Sequence, residues 1–134
     1  MADGSANQGS GLGLRVAPGP RAPSQVRDHL IALRSLVQPD LFDQVELLVN
    51  ELVTNSVRHG HLDDGDWVEV RVTASKRTVR VTVIDPGSGF APRSPQPSLE
   101  DTSGWGLYLV DQLADRWGVI RNGNTVVWFE LDRG

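Results

Sequence analysis

Residues 44–60 read QVELLVNELVTNSVRHG. On a helix turning about 100° per residue, Val45, Val49, Leu52, Val53 and Ser56 gather on one side. Gln44, Glu51, Asn55 and Arg58 gather on another, with His59 at its margin. The segment therefore carries a dry face and a separate polar stripe. A helix is predicted over Pro39–Arg58. Asp40 or Asp43 places negative charge near its start, where the helix dipole favours it. Gly60 is a natural stop.

Upstream, Pro18, Pro20 and Pro23 punctuate the chain. Pro23 suits the first turn of a helix over about Pro23–Val37, whose Val26, Leu30, Leu33 and Val37 keep helical spacing. Residues 12–16 (LGLRV) suit a short edge strand. Residues 1–11 (MADGSANQGSG) offer almost nothing to bury and read as a disordered tail.

Downstream, Asp63, Asp64, Gly65 and Asp66 suggest a turn. Trp67–Thr73 and Thr78–Ile84 alternate as strands, and Ala74–Arg77 between them is hairpin length. The stretch DPGSGFAPRSPQPSLEDTSG, residues 85–104, has no periodicity. A loop of that length in a small domain points to function or mobility. A helix is predicted over Gly106–Leu113. Trp117–Ile120 and Thr125–Leu131 suit a closing hairpin around Asn122-Gly123. There is no internal repeat. The element order predicts an α+β fold, a two-layer sandwich of a mixed, mainly antiparallel sheet with helices on one face, over residues 12–134.

Composition removes several classes of function. At 134 residues the chain holds one domain. Its 39% hydrophobic content is slightly low, but the shortfall lies in the Gly/Ser/Pro-rich start. The 13 basic and 17 acidic residues leave a net charge of −4, which argues against direct nucleic-acid binding. Lys76 is the sole lysine, so no Walker-type Gly-Lys-Ser/Thr motif exists. Without cysteine there is no disulfide, thiolate metal site or Cys nucleophile. No apolar run is long enough to span a membrane. Met1–Gly13 lacks a signal-peptide pattern, so the expected location is the cytoplasm. His29, His59 and His61 lack metal spacing, and Asp63, Asp64 and Asp66 lack calcium-loop spacing.

Three short patterns carry chemistry. Glu51 and Asn55 share a helix face. A Glu carboxylate can take a proton from a hydroxyl, and an Asn oxygen is a neutral ligand for Mg²⁺. Asp85-Pro-Gly-Ser-Gly89 ends an apolar strand. Its acid can accept a hydrogen bond from an exocyclic amine, and its glycines allow close backbone approach. Ser103-Gly-Trp-Gly-Leu107 leads into a helix, so its backbone N–H groups form an anion site. Taken singly, each is also an ordinary helix face, turn or loop.

Taken together, in this order and spacing, they resemble a family. Glu51-Leu-Val-Thr-Asn-Ser-Val-Arg-His-Gly60 is similar to the N box of the Bergerat-fold ATPases. Asp85-x-Gly-x-Gly89 resembles their first glycine box and Gly104-x-Gly106-Leu their second. Residues about 90–103, with their prolines, fall where the family has its ATP lid. Within that group the chain most resembles the small bacterial anti-sigma-factor serine kinases, through the N-box wording, Gly106–Gly118 and the final Val-Trp-Phe-Glu-Leu strand. It departs from them at Trp105, where the regulatory kinases often have Arg or another polar residue.

The resemblance implies ATP and Mg²⁺ as cofactors. Asn55 would hold Mg²⁺ and Asp85 would read adenine. Gly87 and Gly89 would line the base, and Gly104 and Gly106 the phosphates, with Leu107 also counted among the cofactor-binding residues. Thr125 would support the adenine end, and Arg93 in the lid would reach the γ-phosphate. Glu51 would act as the catalytic base. The implied activity is transfer of phosphate to Ser or Thr of an anti-anti-sigma-type partner. The alternative is a non-catalytic ATP-binding module that sequesters a sigma factor or another regulator. Family members often form homodimers.

Overall fold

Val68, Val70, Val72 and Ala74 alternate with polar residues, and so do Val79, Val81 and Val83. In the computed structural model, which describes residues 10–59, 65–86 and 103–134, these two runs become strands of one sheet. The elements in chain order are β1 (Ser10–Val16), α1 (Ala22–Leu30), a 3₁₀ turn (Ile31–Leu33), α2 (Pro39–His59), β2 (Val68–Ala74), β3 (Thr78–Asp85), α3 (Ser103–Leu113), β4 (Arg116–Asn122) and β5 (Asn124–Asp132). The sheet order is β1-β2-β3-β5-β4, and all four pairings are antiparallel. The three helices lie on one face, giving the α+β two-layer arrangement the sequence predicts.

Turn chemistry fixes the hairpins. Between β2 and β3, the Ser75 hydroxyl accepts from the Thr78 N–H at 3.2 Å, while the Ser75 N–H donates to the Thr78 carbonyl at 2.9 Å. Between β4 and β5, Gly123 takes φ +79°, a left-handed conformation that glycine adopts without steric cost. Asn122 consequently pairs with Asn124. β1 takes in Ser10 and Gly11, two residues more than the strand expected over 12–16, because β2 runs on to Ala74 and pairs with them.

The first helix departs from its expected length of Pro23–Val37. Its α-helical part ends at Leu30, and i→i−3 bonds follow: Arg34 N–H to Ile31 carbonyl at 3.0 Å, and Leu36 N–H to Leu33 carbonyl at 2.9 Å. Pro39 disfavours helical geometry at the residue before it, so the chain tightens and turns. Leu33 and Val37 still reach the core, while Ile31 and Leu36 stay exposed.

The core lies between the helices and the inner sheet face. Val45, Leu48, Val49, Leu52 and Val53 of α2 are buried, as are Val68, Val70, Val72, Val79, Val81, Phe129 and Leu131 of the sheet. Each such side chain contributes about 1.5–3 kcal/mol on burial.

Among the described residues no helix covers the other face. Its register rows run Arg15–Glu69–Ile84–Val126–Ile120 and Gly13–Arg71–Thr82–Trp128–Gly118. The Arg15 guanidinium lies 4.2 Å from the Trp67 ring centroid, and Arg80 lies 4.3 Å from that of Trp128. Gly118 lets the Trp128 indole lie flat on β4: a Cβ at residue 118 would stand 2.8 Å from Trp128 Nε1.

Candidate functional site

Alternation along β3 turns Val79, Val81, Val83 and finally Asp85 toward the helices. Asp85 therefore ends its strand on the inner face, and it is only 5% exposed. Directly opposite stands Thr125 of β5, also 5% exposed. The next strand over places Arg121 opposite Thr125. Asp85, Thr125 and Arg121 thus form one cross-strand row at the end of the sheet. Sequence reasoning did not single out Arg121. The Asn122-Gly123 turn was the available signal, since it sets this register.

Helix α2 packs on β2 and β3 and against both α1 and α3. Glu51 and Asn55 are half-buried on it, one turn apart. Leu107 of α3 is buried in the core and fixes that helix against α2. Helix α2, which carries Glu51 and Asn55, thus touches both β3, which ends at Asp85, and α3, which carries Leu107, while β5 with Thr125 pairs with β3. Gly87, Gly89, Arg93 and residues 90–102 of the expected lid lie outside the described residues, as do His61, Asp63 and Asp64.

One expectation needs correction. The helix was predicted to open at Gly106 with the second glycine pair ahead of it. It opens at Ser103, so Gly104 and Gly106 lie within its first turn. The change leaves the second glycine pair at a helix N-terminus. The first four N–H groups of a helix have no partner inside it, and Gly104 and Gly106 themselves bring no side chain there. The local cost of glycine in a helix is about 1 kcal/mol per residue, which is consistent with a turn kept for a purpose other than stability.

The donor set can be tested against the ion the motifs imply. Asn55 offers one neutral amide oxygen. Mg²⁺ is commonly held by one or two protein oxygens together with substrate phosphates and waters, so this sparse set fits it. Among the described residues no group of three or more His, Cys, Asp or Glu could hold a metal unaided. Also among those residues, no helix is long and apolar enough to cross a membrane.

The profile of the histidine kinase-like ATPase domain matches residues 16–131. The chain belongs to that family. This ATPase domain is similar in structure to the Erythrobacter litoralis EL346 blue-light activated histidine kinase, with a TM-score of 0.58, 26% identity, and coverage of 72% of this chain and 32% of that one. The histidine kinase domain from the same protein gives a TM-score of 0.54 and 28% identity, covering 69% of this chain and 44% of that one. The ATPase domain thus spans less than half the length of either chain. No curated protein matches it. Membership makes it an ATP-binding domain of the kinase-like type, and the boundaries of the match enclose every site residue named above.

Proposed function

We propose that this ATP-binding domain is a protein serine/threonine kinase of the anti-sigma-factor type, acting on a Ser or Thr of an anti-anti-sigma-type partner. The observation that carries the proposal is the placement of Glu51 one turn from Asn55 on α2, the helix that packs on β3, whose last residue Asp85 is buried opposite Thr125. In this reading Asp85 accepts from the adenine amine, with Thr125 beside it. Asn55 ligates Mg²⁺, and the first turn of α3 receives phosphate oxygens. Glu51 takes the proton of the acceptor hydroxyl as that oxygen attacks the γ-phosphorus. The bond from the γ-phosphorus to the bridging oxygen breaks, and ADP leaves. Catalysis of this kind rests mainly on positioning and charge neutralisation.

Glu51→Ala tests the proposal. Loss of the base is expected to lower phosphate transfer to the partner by about 10²–10⁴-fold, while the thermal shift with Mg·ATP persists. Transfer assayed with labelled ATP that survives Glu51→Ala refutes the assigned role. An intact chain that binds ATP and sequesters its partner without ever phosphorylating it supports the non-catalytic reading instead.

A further inference from the structure

Pro39, Asp43, Leu47, Glu51 and Asn55 stand four residues apart along α2, so they form one continuous ridge. The ridge joins two places. At its far end Pro39 and Asp43, with Arg34 and Phe42, line an open cleft of about 290 Å³. At its near end lie Glu51 and Asn55. Between them Leu47 is 42% exposed, on a helix whose next residues, Leu48 and Val49, are buried.

The two charged residues of the ridge itself are of one sign, and Arg58 of the same polar stripe stands beyond Asn55 at the other end from Asp43. Asp43 and Glu51 are acidic, and Asp40 beside them is exposed. The nearby cation, Arg34, lies over the Phe42 ring, 5.3 Å from its centroid. An exposed leucine between carboxylates, next to an aromatic-floored cleft, is complementary to an apolar side chain accompanied by a basic one. Asp43 and Glu51 are eight residues apart, about 12 Å along the helix at about 1.5 Å per residue.

We infer that this ridge is the docking track for the phosphoacceptor protein, an inference that rests on the kinase reading. An apolar side chain of the partner seats on Leu47 and the Arg34–Phe42 cleft. A basic side chain meets Asp43. The acceptor hydroxyl then lies at Glu51, about 12 Å further on, a span of three to four residues of extended chain at about 3.3 Å each.

The test uses two labelled peptides and the full chain loaded with Mg²⁺ and ATP. One peptide carries Leu-Arg four residues from a Ser. The other is identical except that Ser-Glu replaces Leu-Arg. Binding is read by fluorescence anisotropy and transfer by labelled phosphate. The Leu-Arg peptide is expected to bind at least tenfold tighter. Leu47→Glu is expected to abolish that preference and Asp43→Arg to invert its charge component. Both positions are exposed and lie outside the proposed nucleotide site, so the ATP-induced shift is expected to stay unchanged. Equal binding of the two peptides, or a preference untouched by both substitutions, overturns the docking track. Docking without phosphate on the Ser refutes the kinase reading and leaves the docking surface standing. Equal phosphorylation of both peptides, with equal binding, does the reverse.

Discussion

Two carboxylates are buried on opposite faces of the same sheet. Glu69 is 7% exposed on the face without helices, and Asp85 is 5% exposed on the helix-covered face. They differ in what stands around them. Glu69 accepts from Arg15 Nε at 2.8 Å and from Arg71 Nε. The hydrogen bond from Arg15 is the main cause that holds its carboxyl below the usual value. Burial opposes the shift, and Arg71 adds to it. Glu69 thereby ties the edge strand β1 to β2. Asp85 stands opposite a hydroxyl residue at the end of its strand, beside the helix that carries Glu51 and Asn55. Depth of burial alone therefore does not separate a structural acid from the one proposed to read adenine; the two differ in the residues across the strand, Arg15 for Glu69 and Thr125 for Asp85.

The contrast can be broken at three points. Asp85→Asn is expected to remove most of the ATP-induced stabilisation, which for a ligand at 100 times its dissociation constant amounts to about 2.7 kcal/mol. Differential scanning with and without Mg·ATP reads it, and a full shift in the variant would end the case for Asp85 as the adenine-reading acid. Gly118→Ala drives a Cβ into the Trp128 indole, which Arg80 covers from outside. The expected cost is about 1–3 kcal/mol, visible in urea unfolding and in tryptophan fluorescence, with ATP binding preserved.

Glu69→Gln is expected to have the smallest effect, about 1 kcal/mol. Both arginine side chains are more than half exposed, at 60% and 63%, so solvent screens the pair. The sign of its pH dependence follows from the shift. The folded carboxyl titrates below the ordinary value of 4.5. Its stabilisation is therefore fully present above pH 4.5 and is lost as pH falls through the lowered folded value. Glu69→Gln should flatten the acid limb of stability against pH while leaving the ATP-induced shift intact. Loss of that shift on substituting Glu69 would erase the distinction between the two acids.

Much of this was legible in the sequence because it is local. The two faces of α2 follow from its 3.6-residue period, and Asn122-Gly123 declares the last hairpin. Asp85 stands out because an acid ends an apolar alternation. Burial of Glu69 was not legible. Its own strand reads as polar on that face, and one of the two groups that hold it, Arg15, comes from a strand distant in sequence. The opening of α3 at Ser103 was obscured for another reason. Glycines weigh against helix, and only packing of Leu107 and Val110 in the core outweighs that preference. The ridge through Leu47 was readable in principle, by continuing the Glu51–Asn55 spacing backward.

The register of β1 also sets an order of events. The β2–β3 and β4–β5 pairs close short turns, whereas β1 reaches β2 across α1 and α2, with Val16 opposite Val68 and Ser10 opposite Ala74. Closing that long loop costs chain entropy before any contact compensates for it. As an edge strand with the longest such loop to close, β1 is expected to join the sheet last and to leave it first. Its amides are expected to exchange fastest among the five strands, with Arg15 on Glu69 as the latch whose release begins unfolding.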